Sequence, residues 1–296
     1  MKFSPEEIKR QTRRLWRTCF EDSDEFINLY FRLKYSDETN VVLCRDGKVA
    51  AAVQVFPYKF RLGTSELPCG YISGLATMPE LRHQGLATEV LLKAHVLLRK
   101  RGAVLSFLIP QNEDLRFFYA SPKRGAYQTM AFRKEVTFKS EQMELIEGGK
   151  LEIVEVEANY GELFPLFGLL TANEPAVVLP AEHDFETALQ TVILEGGKVR
   201  AVRRSGRFTG LCFAVPEAPG NIFLRTLLAE DEASERALLR SLFHEFGVSE
   251  IHRRVPAMRH EAGALPYAMV HLLQRSDHLA HLLCEHPLRM ELLLDE

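Results

Sequence analysis

With 296 residues the chain is about twice the length of an ordinary domain of roughly 150 residues, so two domains are expected, each able to bury a core. A composition of 46% hydrophobic and 26% charged residues with net charge -3 excludes a disordered or fibrous chain and carries no basic excess that would point to nucleic acid. Five scattered cysteines (Cys19, Cys44, Cys69, Cys212, Cys284) without a CxxC pair, no apolar leader after Met1 and no run approaching the roughly 20 apolar residues of a membrane span predict a cytoplasmic protein with neither a disulfide framework nor membrane insertion.

Ser4, Pro5 and Glu7 form a helix start, and Ile8, Leu15 and Trp16 continue it at helical spacing toward Phe20. The acidic stretch Asp22 to Asp24 opens a second amphipathic pattern through Phe26, Leu29, Tyr30 and Leu33. The period then changes. Val41 to Cys44, the turn signal Asp46-Gly47 and Val49 to Phe60 read as an antiparallel hairpin, and Tyr71 to Thr77 as the next strand. From Gly85 to Arg101 the apolar residues Ala87, Val90, Leu91, Ala94, Leu97 and Leu98 share one face of a helix, and Arg99, Lys100 and Arg101 suit the negative end of its dipole. Ala103 to Ile109 is a short buried strand, Asn112 to Tyr119 a short helix, and Ala126 to Lys139 a further strand or hairpin arm.

Polar Glu141 to Lys150, with Gly148-Gly149, is the expected boundary between domains. Beyond it the order of elements recurs: a strand at Leu151 to Val156, helices around Tyr160 to Leu170 and Glu182 to Leu194, strands at Val199 to Arg203, Phe208 to Val215 and Asn221 to Leu228, then a helix at Asp231 to Phe246. The pattern predicts a degenerate internal duplication of one α/β architecture built on mixed sheets.

The segment from Leu75 to Ala87 is where the chemistry is expected. It joins a strand to a helix through Arg82-His83-Gln84-Gly85-Leu86-Ala87. Backbone N–H groups at a helix start point outward unpaired and carry partial positive charge, so such a loop suits a pyrophosphate. Gly85 removes a Cβ that would stand in the way, Arg82 offers a charge-assisted contact, and the small Ala87 lets the first turn lie close to the ligand. Glu66, His83 and Glu113 lie near in sequence, without a pattern that makes one of them a general base. His278, His281 and His286 lack the acidic ligands or HExxH spacing of a metal site, so no metal is expected. Phe56, Tyr58, Phe60, Phe164 and Phe167 read as core aromatics, with lining of an acceptor cleft as the alternative.

The arrangement Arg82-x-x-Gly85-x-Ala87 resembles motif A of the GCN5-related N-acetyltransferase (GNAT) superfamily, whose pattern is Arg/Gln-x-x-Gly-x-Gly/Ala. The resemblance implies that the backbone of Leu75, Ala76 and Thr77 pairs with the pantetheine arm of acetyl-CoA, and that residues 82–87 hold its pyrophosphate. It also implies that Asn112 contacts the cofactor and that Tyr119 protonates the departing thiolate. A phenol of pKa about 10 is protonated at neutral pH and suits that task. The family places a glycine about four residues after this tyrosine, whereas here Gly125 follows six later, which keeps Tyr127 as the alternative donor.

The whole chain resembles the enhanced-intracellular-survival (Eis) branch of this superfamily, in which a GNAT domain is joined to a second GNAT-like domain without the phosphate loop and then to a sterol-carrier-like domain. The implied division is 1–140 for the acetyl-CoA domain, 150–265 for the degenerate one and 266–296 for the linking strand (Met269 to Leu272) and first helix of the third. The branch supplies a terminal carboxylate near its site, a role not carried to Glu296, and its members form oligomers. The expected activity is acetyl transfer from acetyl-CoA to a primary amine of a small molecule or a protein lysine, by direct attack in a ternary complex. A non-catalytic acyl-CoA-binding scaffold is the rival, and a lipid carrier a third reading.

Overall fold

The computed structural model describes residues 4–143, 150–157, 161–274 and 276–291. In chain order the elements are α1 (Pro5–Cys19), α2 (Asp24–Leu33), β1 (Asn40–Arg45), β2 (Lys48–Leu62), β3 (Ser65–Thr77), α3 (Leu86–Lys100), β4 (Leu105–Leu108), α4 (Glu113–Ala120) and β5 (Gln128–Thr129). There follow β6 (Phe132–Lys139), β7 (Leu151–Glu155), α5 (Leu163–Leu170), β8 (Ala176–Leu179), α6 (Glu182–Leu194), β9 (Lys198–Arg204), β10 (Arg207–Ala218) and β11 (Asn221–Ala229). The last are α7 (Glu232–Phe246), β12 (Glu250–Ala257), β13 (Leu265–Pro266), β14 (Met269–Leu272) and α8 (Asp277–Glu285).

Local chemistry sets the element ends. Ser4 Oγ accepts from the Glu7 N–H at 3.2 Å and Ser23 Oγ from the Phe26 N–H at 3.1 Å, so each of the first two helices starts on a serine cap. Asp46 and Gly47 both take positive φ, 47° and 73°, the turn geometry whose twist matches a two-residue hairpin between β1 and β2.

The chain divides into two compact units, Met1–Phe132 with Pro266–Leu288, and Arg133–Leu265 with the segment starting at Arg289. In the first unit the strands run β1-β2-β3-β4-β14-β5, and in the second β13-β6-β12-β11-β10-β9-β7. Six strands correspond, β1-β2-β3-β4-β14-β5 matching β9-β10-β11-β12-β6-β13, and β7 extends the second order beyond β9. β3 and β4 are a parallel pair joined through α3, as β11 and β12 are joined through α7. The place next to β4 is taken by β14 and the equivalent place next to β12 by β6. Each sheet is therefore completed by a strand from the other half of the sequence.

This exchange accounts for three differences from the sequence reading. The expected single strand from Ala126 to Lys139 is broken at Met130-Ala131, because β5 belongs to the first sheet and β6 to the second. Met269 to Leu272, expected as a linking strand, pairs with β4 through Met269↔Leu108 to Leu272↔Leu105 and with β5 through Met269↔Thr129. The two units therefore do not follow the contiguous division at 140, 150 and 265. Strands β8 and β12 were not foreseen. Residues 144–149 of the expected boundary, Tyr160 and Glu296 lie outside the described residues.

In the first unit, alternate residues of the strands face opposite sides. Val53, Val55 and Ile72 pack with Val90, Leu91, Ala94 and Leu98 of α3. On the other side Ala52 and Ala76 pack with Leu15 of α1, beside an aromatic group of Trp16, Tyr30, Phe56, Tyr71 and Phe107. The second unit repeats this scheme, with Phe167, Phe185, Leu211 and Phe213 in one cluster and Cys212, Leu224, Leu238 and Leu242 in another.

Candidate functional site

The site is built around β3. On one side this strand stays with β2 as far as Thr77↔Ala51, while its pairing with β4 consists of Cys69↔Leu105, Gly70↔Ser106 and Tyr71↔Phe107. From Ile72 to Thr77 the edge that faces β4 is thus left without a ladder among the described residues, and its N–H and C=O groups are open to an extended ligand arm. Leu75, Ala76 and Thr77, the residues expected to meet the pantetheine, lie on this stretch.

A bulge re-aims the strand there. The register shifts between Ala52↔Ala76 and Gln54↔Ser73, so that Gly74 and Leu75 together oppose Val53. Gly74 has φ 60°, and a Cβ on it would stand 2.3 Å from Cζ3 of Trp16. Trp16 is in turn fixed by its indole N–H, which donates to Asp22 Oδ2 at 2.7 Å. Neither Gly74 nor Trp16 was assigned to the site from the sequence. A glycine inside a strand pattern was the available signal.

Beyond β3, Pro79–Leu81 makes one tight turn and the chain enters α3 through Arg82 to Gly85. His83 and Gly85 both have positive φ, 63° and 81°. The position that a Cβ on Gly85 would take is open to the outside, and the left-handed backbone by itself favours glycine here. No side chain caps α3. The N–H groups of Gly85, Leu86, Ala87 and Thr88 precede the first intrahelical bond, Glu89 N–H to Gly85 C=O at 3.0 Å, and remain available to an anion. His83, Gln84 and Gly85 are exposed and Ala87 half-buried, while the Leu86 side chain points into the core, so Leu86 offers only backbone. Arg82 folds back, its Nε 3.4 Å from the Thr77 carbonyl oxygen and a terminal nitrogen 3.9 Å from Cys19 Sγ.

The helix in the equivalent place of the second unit is closed. Asp231 caps α7, its Oδ1 accepting from the Ser234 N–H at 2.9 Å, and Arg204 grips both carboxylate oxygens at 2.7 and 3.0 Å. Arg204 and Ser234 hold the Asp231 carboxyl at a pKa of about 2. A permanent carboxylate stands where α3 has none.

Tyr119 is buried on the α3 side of the first sheet, 7% exposed, its ring edge-on to Phe118 and to Tyr127. Burial raises its pKa, so the hydroxyl is a proton carrier at neutral pH. Tyr127 is committed elsewhere: its hydroxyl lies 2.8 Å from His95 Nε2 and 2.8 Å from Ser106 Oγ, and His95 stacks on His271 with ring centroids 4.4 Å apart. Burial first, then the neighbouring His271 and Arg99, lowers the His95 pKa to about 3, which keeps the imidazole neutral. A Cβ on Gly125 would come within 2.6 Å of the Tyr127 ring, so the glycine displaced from the family spacing serves this packing. His95, Ser106 and His271 come together only through the fold, and local spacing does not mark them.

Asn112 is the cap of α4, Oδ1 accepting from the Leu115 N–H at 2.9 Å. Glu66 pairs with Lys59 at 3.0 Å and Glu113 with Arg116 at 2.8 Å. Phe56, Tyr58 and Phe60 are buried, Phe167 packs on Phe185, and His281 pairs with Glu285 at 3.1 Å. Among the described residues no group of three His, Cys, Asp or Glu is placed to hold a metal ion. No helix of the described residues is long and apolar enough to cross a membrane.

Comparison with known proteins places this geometry. Residues 2–119 match the family model described as the acetyltransferase (GNAT) domain. That segment is thus similar to a GNAT acetyltransferase domain, and the fold of the chain is GNAT-like. No curated protein matches it. Among solved structures it is similar to a protein of unknown function from Enterococcus faecalis V583, described as a probable N-acyltransferase, with 16% identity, 92% of this chain and 72% of that one covered, and a TM-score of 0.71. It is similar to Eis1 from Mycobacterium abscessus at 11% identity, with 92% and 73% covered and a TM-score of 0.65. A tandem GNAT protein from the clavulanic acid biosynthesis pathway aligns at 12% identity over 92% of this chain and 97% of its own, with a TM-score of 0.50. At these identities the likeness is one of fold.

Proposed function

We propose that the first unit is an N-acetyltransferase that moves an acetyl group from acetyl-CoA to a primary amine, carried by a small molecule or a lysine side chain, in a ternary complex. One observation carries the reading: the unpaired stretch of β3 from Ile72 to Thr77 leads directly into a helix whose first N–H groups are uncapped and entered through Gly85 at φ 81°. An extended amide-bearing arm and a pyrophosphate are what these two features suit in succession.

Acetyl-CoA supplies the activated acyl carbon. The chain's part is to hold the pyrophosphate on the N–H groups at residues 85–88, with Arg82 swinging from Thr77 to add charge, and to pair the arm with Leu75, Ala76 and Thr77. The amine nitrogen forms the new C–N bond, the C–S bond breaks, Tyr119 gives its proton to the leaving sulfur, and the proton that the nitrogen loses passes through solvent to restore the phenol. Tyr119 is favoured over Tyr127 because both hydrogen-bonding directions of the Tyr127 hydroxyl are occupied by His95 and Ser106. Asn112 adds to the cofactor site through the helix start that it caps.

The second unit, in this proposal, is a GNAT-like fold that does not take CoA the same way, since Asp231 closes its helix start. Cytoplasmic location and self-association belong to the same proposal.

Tyr119→Phe is the test. CoA release with an amine acceptor is expected to fall about 100-fold, the lower end for loss of a general acid, while acetyl-CoA still raises the melting temperature. Unchanged turnover would remove Tyr119 from the mechanism. A cofactor-induced rise without turnover in the parent would instead favour the scaffold reading.

A further inference from the structure

Helix α1 meets β3 at both ends of the stretch that carries Leu75, Ala76 and Thr77. Trp16 and Cys19 lie on one face of the helix, at positions i and i+3. The indole of Trp16 closes on Gly74, where a Cβ would stand 2.3 Å from its Cζ3 and 2.7 Å from its Cη2. Cys19 Sγ donates to the Thr77 carbonyl oxygen at 3.4 Å. Leu75 and Ala76 lie between the two contacts, on the part of β3 that has no ladder to β4.

The two contacts differ in what they decide. Thr77 is still paired with Ala51 of β2, so the strand is held there without α1. Gly74 falls in the register shift between Ala52↔Ala76 and Gln54↔Ser73, at φ 60°, and a glycine has no side chain to choose among the backbone conformations open to it. The Trp16 ring supplies that constraint from outside. The orientation of the ring is itself set on the side away from Gly74, where the indole N–H donates to Asp22 Oδ2 at 2.7 Å, and by Tyr30 and Phe20 at centroid distances of 4.4 and 4.8 Å. Trp16 is buried, whereas Asp22 is exposed. A hydrogen bond to a carboxylate is about twice as strong as a neutral one, so Asp22 aims the ring without belonging to the core.

We propose that Trp16 and Asp22 are positioning residues for the cofactor. The indole, aimed by Asp22, fixes the Gly74 bulge, and the bulge fixes the direction in which the N–H and C=O groups of Leu75, Ala76 and Thr77 meet the arm of acetyl-CoA. Both residues act through the strand. Tyr119 lies on the α3 side of the sheet and Trp16 on the α1 side, so the pair governs how tightly the donor is held and leaves the proton transfer to sulfur alone. The inference rests on the acyl-transfer reading above.

The test uses the full chain, with acetyl-CoA binding read by titration calorimetry and turnover read with whichever of spermidine, benzylamine and an N-terminally blocked lysine peptide is accepted. Asp22→Ala and Trp16→Phe should each weaken acetyl-CoA binding about fivefold, the equivalent of one hydrogen bond, and raise its KM to match, with kcat and the amine KM unchanged. Asp22→Asn keeps an acceptor oxygen for the indole N–H and should bind acetyl-CoA like the parent. Trp16 is the single tryptophan of the chain, so the emission of cofactor-free Asp22→Ala should differ from that of the parent and of Asp22→Asn. Because Asp22 is exposed, its two variants carry the test if Trp16→Phe does not fold. An Asp22→Ala protein that melts earlier yet binds acetyl-CoA like the parent overturns the proposal, as does one whose loss falls on kcat or on the amine KM. A parent that neither binds acetyl-CoA nor releases CoA overturns the acyl-transfer reading, and this one with it.

Discussion

Replacing Gly85 with aspartate would give α3 the kind of carboxylate that Asp231 gives α7, and the consequence for cofactor binding can be estimated. A unit negative charge about 5 Å from a pyrophosphate of charge about -2, at an effective dielectric constant of roughly 60 for an exposed site, opposes binding by about 2 kcal/mol. That corresponds to about a 30-fold weaker dissociation constant. Acetyl-CoA at about 100 times the parent's dissociation constant stabilises the parent by about 2.7 kcal/mol but the Gly85→Asp protein by only about 0.9 kcal/mol. For a unit of this size the melting temperature should rise by about 5 to 10 °C in the parent and about 2 to 3 °C in the variant. Gly85→Ala is the control. The left-handed backbone costs a β-carbon about 1 to 2 kcal/mol, so its cofactor-free protein melts earlier, yet the space is open and the cofactor-induced rise should survive. Scanning calorimetry or dye-monitored melting reads all three, and Trp16 fluorescence gives a second signal beside the β3 bulge. A Gly85→Asp protein that responds like the parent would refute the placement of the pyrophosphate at this helix end.

Tyr127→Phe should leave His95 and Ser106 without their shared partner and lower stability by about 1 to 3 kcal/mol, measured by urea unfolding, whereas cofactor affinity should hold. Because the His95 pKa is depressed in the folded state, the unfolded chain takes up the proton first as pH falls. Stability should therefore decline from about pH 6.5 down to about pH 3, and His95→Gln should flatten that slope in unfolding experiments across the range. Gly74→Ala combines a positive φ with a Cβ 2.3 Å from Trp16, so it should shift the Trp16 emission and weaken acetyl-CoA binding more than it lowers the melting temperature of the second unit. For Asp231, whose pKa is held low by Arg204, the stabilisation is present above the ordinary carboxylate range and lost as pH falls toward about 2; Asp231→Asn should remove that acid-sensitive component in circular dichroism titrations.

What could be read from sequence was local. Serine caps at Ser4 and Ser23, the Asp46-Gly47 turn and the Arg82 to Ala87 loop each declare themselves within a few residues, because capping, positive φ and helix-start anion binding act over one turn of chain. What escaped depends on distant partners. Met269 to Leu272 reads as any short apolar strand, and nothing within it tells that its neighbours are Leu105 to Leu108. Nothing near Tyr127 in the sequence tells that His95 and Ser106 meet its hydroxyl. Asn112 showed the same ambiguity: a residue placed by family resemblance at a cofactor contact is also a helix cap, and the cap needs only its own helix.

The exchange of β14 and β6 has a consequence for the nascent chain. The first sheet is set up by residues before 130, yet the strand between β4 and β5 is Met269–Leu272, so on the ribosome the edge of β4 waits for some 140 further residues. At about 5 to 20 residues per second that is roughly 7 to 30 seconds during which a buried strand stands as an open edge. Cutting the gene between the two halves would make the wait permanent, so the acetyltransferase fold and its companion are inherited, and made, as one piece.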